Sequence, residues 1–454
     1  MEAMMNFELS KEYLERFQQA LDEKEDSFII QSFEGVKSAD IAALLYEFDS
    51  QECKYIFDIL SDEEAALVLE DMDEDVRESF LTEFSSIELA RYIELLDSDN
   101  GADILYQIPL KRREEVIKGI ANEEKASNLL DLLRYPEDVA GGLMAKELIK
   151  ANENWSIRQC IEEIRKQAEN VQKIYSVYVV DNLGHLLGRV SLKRLIITDE
   201  NTKIADILDD DLVSVETYME EEEVAAIMTK YDLDAIPVVN ARGKLVGRIT
   251  IDDIIDVITE LAERERQMMA GISSDVEEAD SVWDLSKARL PWLIIGMFGG
   301  FLGAQFLGLF EGDIAIIPAL AFFIPLITAT GGNVGIQSSS IVVQSLANPN
   351  VFAGTMFQRL LKVLFVAIVN GAILAVMVFG AVILVNRSQS LAMTVSLALF
   401  CVVLLASFMG TITPLLLDKI GVNPALAAGP FITTANDLLG LAVYFSVAHV
   451  LYGL

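Results

Sequence analysis

Five apolar runs close the chain, at residues 290–310, 314–339, 357–385, 391–417 and 424–452. Each exceeds the roughly 20 residues an α-helix needs to cross a bilayer. Residues 285–454 are therefore expected to form a five-helix transmembrane domain. From Leu285 onward there are four acids (Glu311, Asp313, Asp418, Asp437) and six bases (Lys287, Arg289, Arg359, Lys362, Arg387, Lys419). The whole chain has 70 acids and 35 bases, so the first 284 residues keep 66 and 29, a net charge of −37. An acidic soluble half is thus joined to an apolar one. An odd number of spans puts the two ends on opposite sides. Lys287, Arg289, Arg359, Lys362 and Lys419 fall on one side and Arg387 on the other. The positive-inside rule then expects the N-terminal half in the cytoplasm and the C-terminus outside. "MEAMMNFELSKEY" has no apolar core, so no cleaved signal peptide is expected. Three scattered cysteines and two histidines give neither a disulfide framework nor a soft-metal cluster.

The soluble half changes rhythm near residue 140. Before it, "IAALLYEFD", "CKYIFDILS", "AALVLEDMD", "ARYIELLDS" and "GADILYQIP" each carry aliphatic residues at helical spacing and end in an acidic or proline turn. That pattern predicts a stacked superhelix over residues 1–140. After it, "VYVVDNLGHLLGRVSLKRLI" (177–196) matches "IPVVNARGKLVGRITIDDII" (236–255) at an offset of 59. Gly184 pairs with Gly243, Gly188 with Gly247 and Arg189 with Arg248, and each unit reads as strand, glycine turn, strand, helix. Residues 141–258 resemble a tandem pair of CBS domains, which implies sensing of a small ligand. In such pairs a hydroxyl residue followed three later by an Asp holds the ribose of an adenosine nucleotide such as ATP. The second unit has Thr250 and Asp253, whereas the first has Ser191 and Arg194. Capping of the following helix is the plain alternative for Thr250. Residues 259–284 would connect the pair to the membrane.

Two membrane motifs carry polar chemistry. "PLITATGGNVGIQSSS" (325–340) places Gly331, Gly332 and Gly335 where backbones approach closely. Pro325 is expected to kink this span and free a carbonyl. Thr328, Thr330, Asn333 and Gln337 add oxygens, and packing alone needs neither amide. In the fifth span, Asp437 stands thirteen residues past Pro424, about 20 Å along a helix. Intramembrane acids mark ion pathways, and no span has a Lys or Arg in its interior to pair with it. Thr433, Thr434 and Asn436 lie beside it. Oxygen ligands alone suit Mg²⁺, Ca²⁺ or Mn²⁺. One carboxylate per chain fits a Mg²⁺ that keeps its waters, and two chains on a two-fold axis would neutralise it.

An acidic helical domain, a CBS pair, five spans, "GGNVGIQ" and "GPFITTANDLL" together resemble the MgtE family of bacterial magnesium channels. The resemblance implies a multidomain membrane protein: an all-α superhelical N-terminal domain, an α/β tandem CBS pair and a five-helix transmembrane domain. It implies a homodimer in the bacterial cell (inner or plasma) membrane whose second and fifth spans line the pore. It also implies that Mg²⁺ glues the acidic domain, the CBS pair and a connecting plug helix into a closed state. Asp437 then becomes the pore carboxylate, helped by the Thr433 carbonyl. Sensor acids fall on Asp99, Asp103, Glu220, Glu222, Asp232, Asp253 and Asp256, with Glu263 and Glu265 on the plug. Asn423, Leu261 and Arg264 stand where relatives can carry acids. Each exposed acid also reads as a solvated surface charge. No Walker loop, nucleophile elbow or histidine cluster points to an enzyme, and nothing points to nucleic acid. Nucleotide-regulated transport of Mn²⁺, Co²⁺ or Ca²⁺ is the alternative.

Overall fold

The computed structural model describes residues 9–453 apart from 169, 170, 172, 274, 275, 277–280, 348–355, 387 and 428. Arg387 therefore lies outside the described residues. Two compact units result, residues 1–258 and 259–454.

Among the described residues the first unit opens with ten short helices, α1 (Lys11–Asp22) to α10 (Glu123–Leu132). Capping boxes start some of them: Asp49 with Glu52, Ser61 with Glu64, and Ser85 with Glu88. Helices of 8 to 12 residues are too short to persist alone, so stacking must hold them. Ile56, Leu69, Ile93 and Leu105 are fully buried between layers. Phe57, Phe80, Phe84 and Tyr92 interlock at ring separations of 4.9–5.7 Å for the contacts of Phe84. Polar contacts reach from one hairpin to the next about thirty residues on, such as Lys54 to Glu88 at 2.9 Å and Arg77 Nε to Gln107 at 2.8 Å.

A short helix α11 (Ala140–Leu143) leads into the repeat. The first half holds β1 (Ile149–Asn152), α12 (Ile157–Gln167), β2 (Val177–Val180), β3 (Leu186–Val190) and α13 (Leu192–Ile197). The second holds β4 (Val215–Glu216), α14 (Glu221–Tyr231), β5 (Ala235–Val239), β6 (Leu245–Thr250) and α15 (Ile251–Met269). Each makes a three-stranded sheet with one parallel and one antiparallel pair. The offset of 59 survives into the geometry. Gly184 and Gly243 both take positive φ, +86° and +73°, and the two turns bond each other: Leu186 N–H to the Gly243 carbonyl and Leu245 N–H to the Gly184 carbonyl, each 3.1 Å. Gly188 and Gly247 mark the matching crossings. A Cβ would lie 2.3 Å from the Asp209 carbonyl at Gly188, and 2.8 Å from the Ala145 carbonyl at Gly247.

The second unit holds α16 (Val282–Gly308), α17 (Glu311–Ile316), α18 (Ile324–Ala347), α19 (Met356–Asn386), α20 (Gln389–Lys419) and α21 (Pro430–Tyr452). Five of its helices are long and apolar enough to cross a membrane. α20 is central, packing against α18, α19 and α21, while α16 rests on α21. Leu320, Ile327, Val395, Leu399, Tyr444 and Phe445 form the core, and the Tyr444 hydroxyl donates to the Leu320 carbonyl at 2.9 Å.

Three local expectations change. Pro325 does not kink a span. It stands in the first turn of α18, just after the 3₁₀ turn Pro318–Phe323, where a missing N–H costs no helical bond. The fifth helix begins at Pro430, and Pro424–Ala427 is a separate 3₁₀ turn. Asp437 is thus seven residues inside the helix, about 10 Å rather than twice that. The connecting segment is not an element of its own: α15 runs unbroken from Ile251 to Met269, and α16 starts at Val282.

Candidate ion path and acid cluster

Glycines set the membrane site. On α18, a Cβ at Gly332 would lie 3.2 Å from Thr433 Cγ2 and 3.8 Å from Asp437 Oδ1. At Gly335 it would lie 1.9 Å from Asn436 Nδ2, and at Gly299 of α16, 1.9 Å from Thr434 Cγ2. Every residue of the run Thr433–Thr434–Asn436–Asp437 is therefore admitted by a glycine opposite it on α18 or α16. Asp437 and Thr433 stay partly exposed. Asn436 is 1% exposed, and neither its Oδ1 nor its Nδ2 finds a partner among the described residues. Ser339 Oγ, one turn after Gly335, is buried and unpartnered likewise. Asn333 and Gln337 lie one turn apart on the exposed face of α18, away from the buried glycines. Thr328 donates its hydroxyl to the Ile324 carbonyl within its own helix. At one end of this bundle Met268 and Met269 pack on Val343 and Ala425. Asn423 Nδ2 there meets Met268 Sδ at 3.4 Å.

In the first unit, α8 (Ser98–Tyr106) carries acids against the start of α15. Glu70, Asp97, Asp99, Asn100, Asp252 and Asp253 line one small cavity of about 80 Å³ with Lys173, Tyr175, Arg248 and Thr250. Asp99 is 7% exposed, and burial with the charges of Asp253 and Asp97 pushes its carboxyl well above the usual range. Burial and the neighbouring Glu74 push Asp103 up to about 8. Glu70 rises to about 7 through burial and the charges of Asp71 and Asp97. Burial lifts Asp253 to about 6, even though its Oδ2 accepts the Thr250 N–H at 3.0 Å and hydroxyl at 2.6 Å. These are carboxylates that a cation would relieve. Among the described residues, no three acids, cysteines or histidines converge tightly enough to cage a bare ion. The donors fit an ion that keeps its own waters.

Of the sequence-predicted acids, Asp99 and Asp253 line this cavity, while Asp103, a turn further along α8, lies outside its lining. Glu220, Glu222, Asp232 and Asp256 are exposed elsewhere. Glu263 lies 3.6 Å from Arg266, and Glu265 is half-buried on the same helix. Sequence reasoning missed Glu70, Asp97 and Asp252. The thirty-residue step of the superhelix, which sets Glu70 beside Asn100, was the available signal. At Thr250 and Asp253 the cavity is far below the roughly 300 Å³ of a small-molecule site. The Thr250 N–H and hydroxyl both donate to Asp253 Oδ2 at the start of α15, and Arg194 of the first repeat is exposed.

Residues 36–138 match the MgtE intracellular N domain, residues 138–199 and 204–260 match the CBS domain, and residues 324–447 match MgtE, described as a divalent cation transporter. The chain is 31% identical to the magnesium transporter MgtE of Thermus thermophilus, over 96% of this chain and 97% of that one. It is 35% identical to the Enterococcus faecalis magnesium transporter MgtE over 72% of each chain. Among solved structures, the soluble part of a magnesium transporter aligns with TM-score 0.50 and 28% identity, over 56% of this chain and 99% of that one. The cytosolic domain of the Mg²⁺ channel MgtE in complex with ATP aligns with TM-score 0.50 and 32% identity, over 53% of this chain and 98% of that one. A multi-pass membrane domain with this N domain and CBS pair, matched along nearly its whole length, belongs to the MgtE family.

Proposed function

We propose that this chain moves Mg²⁺ across the bacterial cell membrane along a path beside Asp437, between α18 and α21 of a homodimer. The observation that supports the reading is the juxtaposition of Asp437 with Gly332, a carboxylate held against bare backbone, with the Thr433 methyl packed beside it. A divalent ion in a low-dielectric channel loses hydration, and fixed negative charge replaces it. The orphaned atoms of Asn436 and Ser339 support it further, because buried polar groups need partners and a hydrated cation supplies donors and acceptors. Asn333 and Gln337, exposed on a lone chain, suit a water-lined face or a second copy better than lipid. The magnesium transporters named above support Mg²⁺ as the cargo.

Regulation is read in the acid cluster. Cytoplasmic Mg²⁺ settles between α8 and α15, relieves the repulsion among Glu70, Asp97, Asp99, Asp103 and Asp253, and favours the closed channel. A nucleotide such as ATP belongs to the same reading, since a relative's cytosolic domain was solved with it. The small cavity at Thr250 and Asp253 means that nucleotide entry there needs the helical domain to move. The test is growth of a Mg²⁺-transport-deficient bacterium at limiting Mg²⁺, with Mn²⁺, Co²⁺ and Ca²⁺ titrated as competitors. Rescue that Mg²⁺ alone supports is expected. Rescue that tracks another divalent ion would reassign the cargo.

A further inference from the structure

Asn436 is the polar group this bundle treats worst. It is 1% exposed, and neither end of its amide has a partner among the described residues. Exchanging the two ends of the amide leaves a donor and an acceptor facing nothing just the same. Its side chain sits in a socket made by glycines. A Cβ at Gly335 of α18 would lie 1.9 Å from Asn436 Nδ2, and a Cβ at Gly410 of α20 would lie 2.4 Å from the Gly335 carbonyl. Ser339 Oγ, one turn after Gly335, is buried without a partner too. Other hydroxyls of the bundle satisfy themselves. Ser345, Thr394, Thr411 and Thr413 each donate to a carbonyl three or four residues back in their own helix, at 2.8–2.9 Å. An apolar side chain would fill the Asn436 socket without stranding anything, so packing alone gives no reason for an amide there.

We propose that Asn436 is a polar wedge: its burial destabilises the packing described here and favours a second arrangement, in which α21 has turned on α18 and the amide meets water at the edge of the ion path. The inference rests on the path beside Asp437. A stranded amide bears its full desolvation cost, whereas one that meets water bears none. The movement required is small. Successive residues of a helix stand about 100° apart, so Asn436, three residues after Thr433, lies about 60° round α21 from it. Thr433 is already partly exposed beside Asp437, and a fraction of that angle brings the amide to the same edge. The buried side of α21 leaves room for the turn. A Cβ at Gly440 would meet only ordinary contacts, at 3.6 Å from Val402 and 3.8 Å from Ile327. In the arrangement described, Met268 and Met269 cover one end of the bundle, which fits a resting state. A group that destabilises one of two states shifts their populations by its own cost and no more. For one stranded polar group that is a factor of about ten.

Two conservative variants of the full-length protein in nanodiscs test the wedge, each followed by thermal unfolding and by single-channel recording at low Mg²⁺. Asn436→Thr keeps the volume close, and its hydroxyl can bond the Ile432 carbonyl as Thr411 bonds Ser407. Ser339→Ala removes the neighbouring orphan and leaves almost no void. Most buried substitutions destabilise, so the expected sign is itself diagnostic. In Asn436→Thr the melting temperature should rise and the open probability fall about tenfold, with the conductance of each opening kept. In Ser339→Ala the melting temperature should rise as well. A lower melting temperature in both variants would show that bound water already satisfies these groups, and the wedge falls. A higher melting temperature in Asn436→Thr with unchanged open probability also overturns it, since the amide would then be a packing defect. The path is judged separately. Loss of flux in Asp437→Asn beside unchanged gating in Asn436→Thr removes the wedge and leaves the path, whereas wild-type flux in Asp437→Asn removes both.

Discussion

At Gly332 and Gly335 the same added methyl group meets different obstacles. At Gly335 it would strike the amide of Asn436, whose side chain is buried. Gly335→Ala is expected to cost about 1–3 kcal/mol of stability by overpacking, seen as a lower melting temperature in detergent. At Gly332 the contact is a looser, tolerable 3.2 Å to the Thr433 methyl. Gly332→Ala should keep the fold and lower Mg²⁺ uptake, because the methyl intrudes beside Asp437. Equal loss of folding in both variants would show that Gly332 serves packing alone. For Asp437 itself, Asn keeps the shape and one oxygen but removes the charge. Asp437→Asn and Asp437→Ala are both expected to reduce uptake to background with expression and dimer content intact. Wild-type flux in Asp437→Asn would make this carboxylate structural. The sequence could mark these glycines as places of close approach. It could not say that Asn436, beside Asp437 in the chain, turns into the helix contact, because a helix sends adjacent residues about 100° apart and only packing decides which faces inward.

Elements were legible where their periodicity was internal. The CBS hairpins repeat at 59 residues because each carries the same demands: a positive-φ glycine at the turn and a second glycine where another strand crosses. The acid seam obeys no such period. Glu70, Asp97 and Asp252 come from three elements, and only the rise of the superhelix brings them together. The seam also has a pH dependence with a definite sign. Asp103, Glu70 and Asp253 stand at about 8, 7 and 6 in the folded chain and return to roughly 4 when unfolded. Between those limits the folded state holds more protons, so the stability of the seam falls as pH rises through about 4 to 8. On the proposed reading, protons and Mg²⁺ relieve the same repulsion. Mg²⁺ is therefore expected to raise the melting temperature more at pH 8 than at pH 6, as followed by differential scanning fluorimetry. An equal Mg²⁺ effect at both values would separate the metal from these acids.

Over the whole molecule, the −37 charge of the first 284 residues has two possible consequences that a single salt titration tells apart. If the charge acts only as a diffuse field, any electrolyte relieves it, since the screening length falls to about 8 Å at physiological ionic strength whatever the ion. If it acts through the seam, a divalent ion bridging carboxylates does what monovalent salt cannot. The distribution of buried acids favours the second. Asp99 is buried and Glu70, Asp103 and Asp253 are half-buried near it, where screening by bulk salt is weaker, while most remaining acids are solvated on helix surfaces. The strength of the effect follows from the geometry too. With no tight three-ligand cage among the described residues, an ion bound there as proposed would keep much of its hydration and bind weakly. The full-length protein is thus expected to gain resistance to trypsin within residues 1–258 at millimolar Mg²⁺, with little protection at micromolar levels. KCl at matched ionic strength should protect far less. Deleting residues 1–140 removes Glu70, Asp97, Asp99 and Asp103 at one stroke, so the truncated channel should still conduct in patch recordings while its shut-off by Mg²⁺ moves to higher concentrations. Matching protection by KCl, together with unchanged inhibition of the truncated channel, would reduce the acidic half to a screened surface and return the search for a sensor to α15 and the bundle end around Met268.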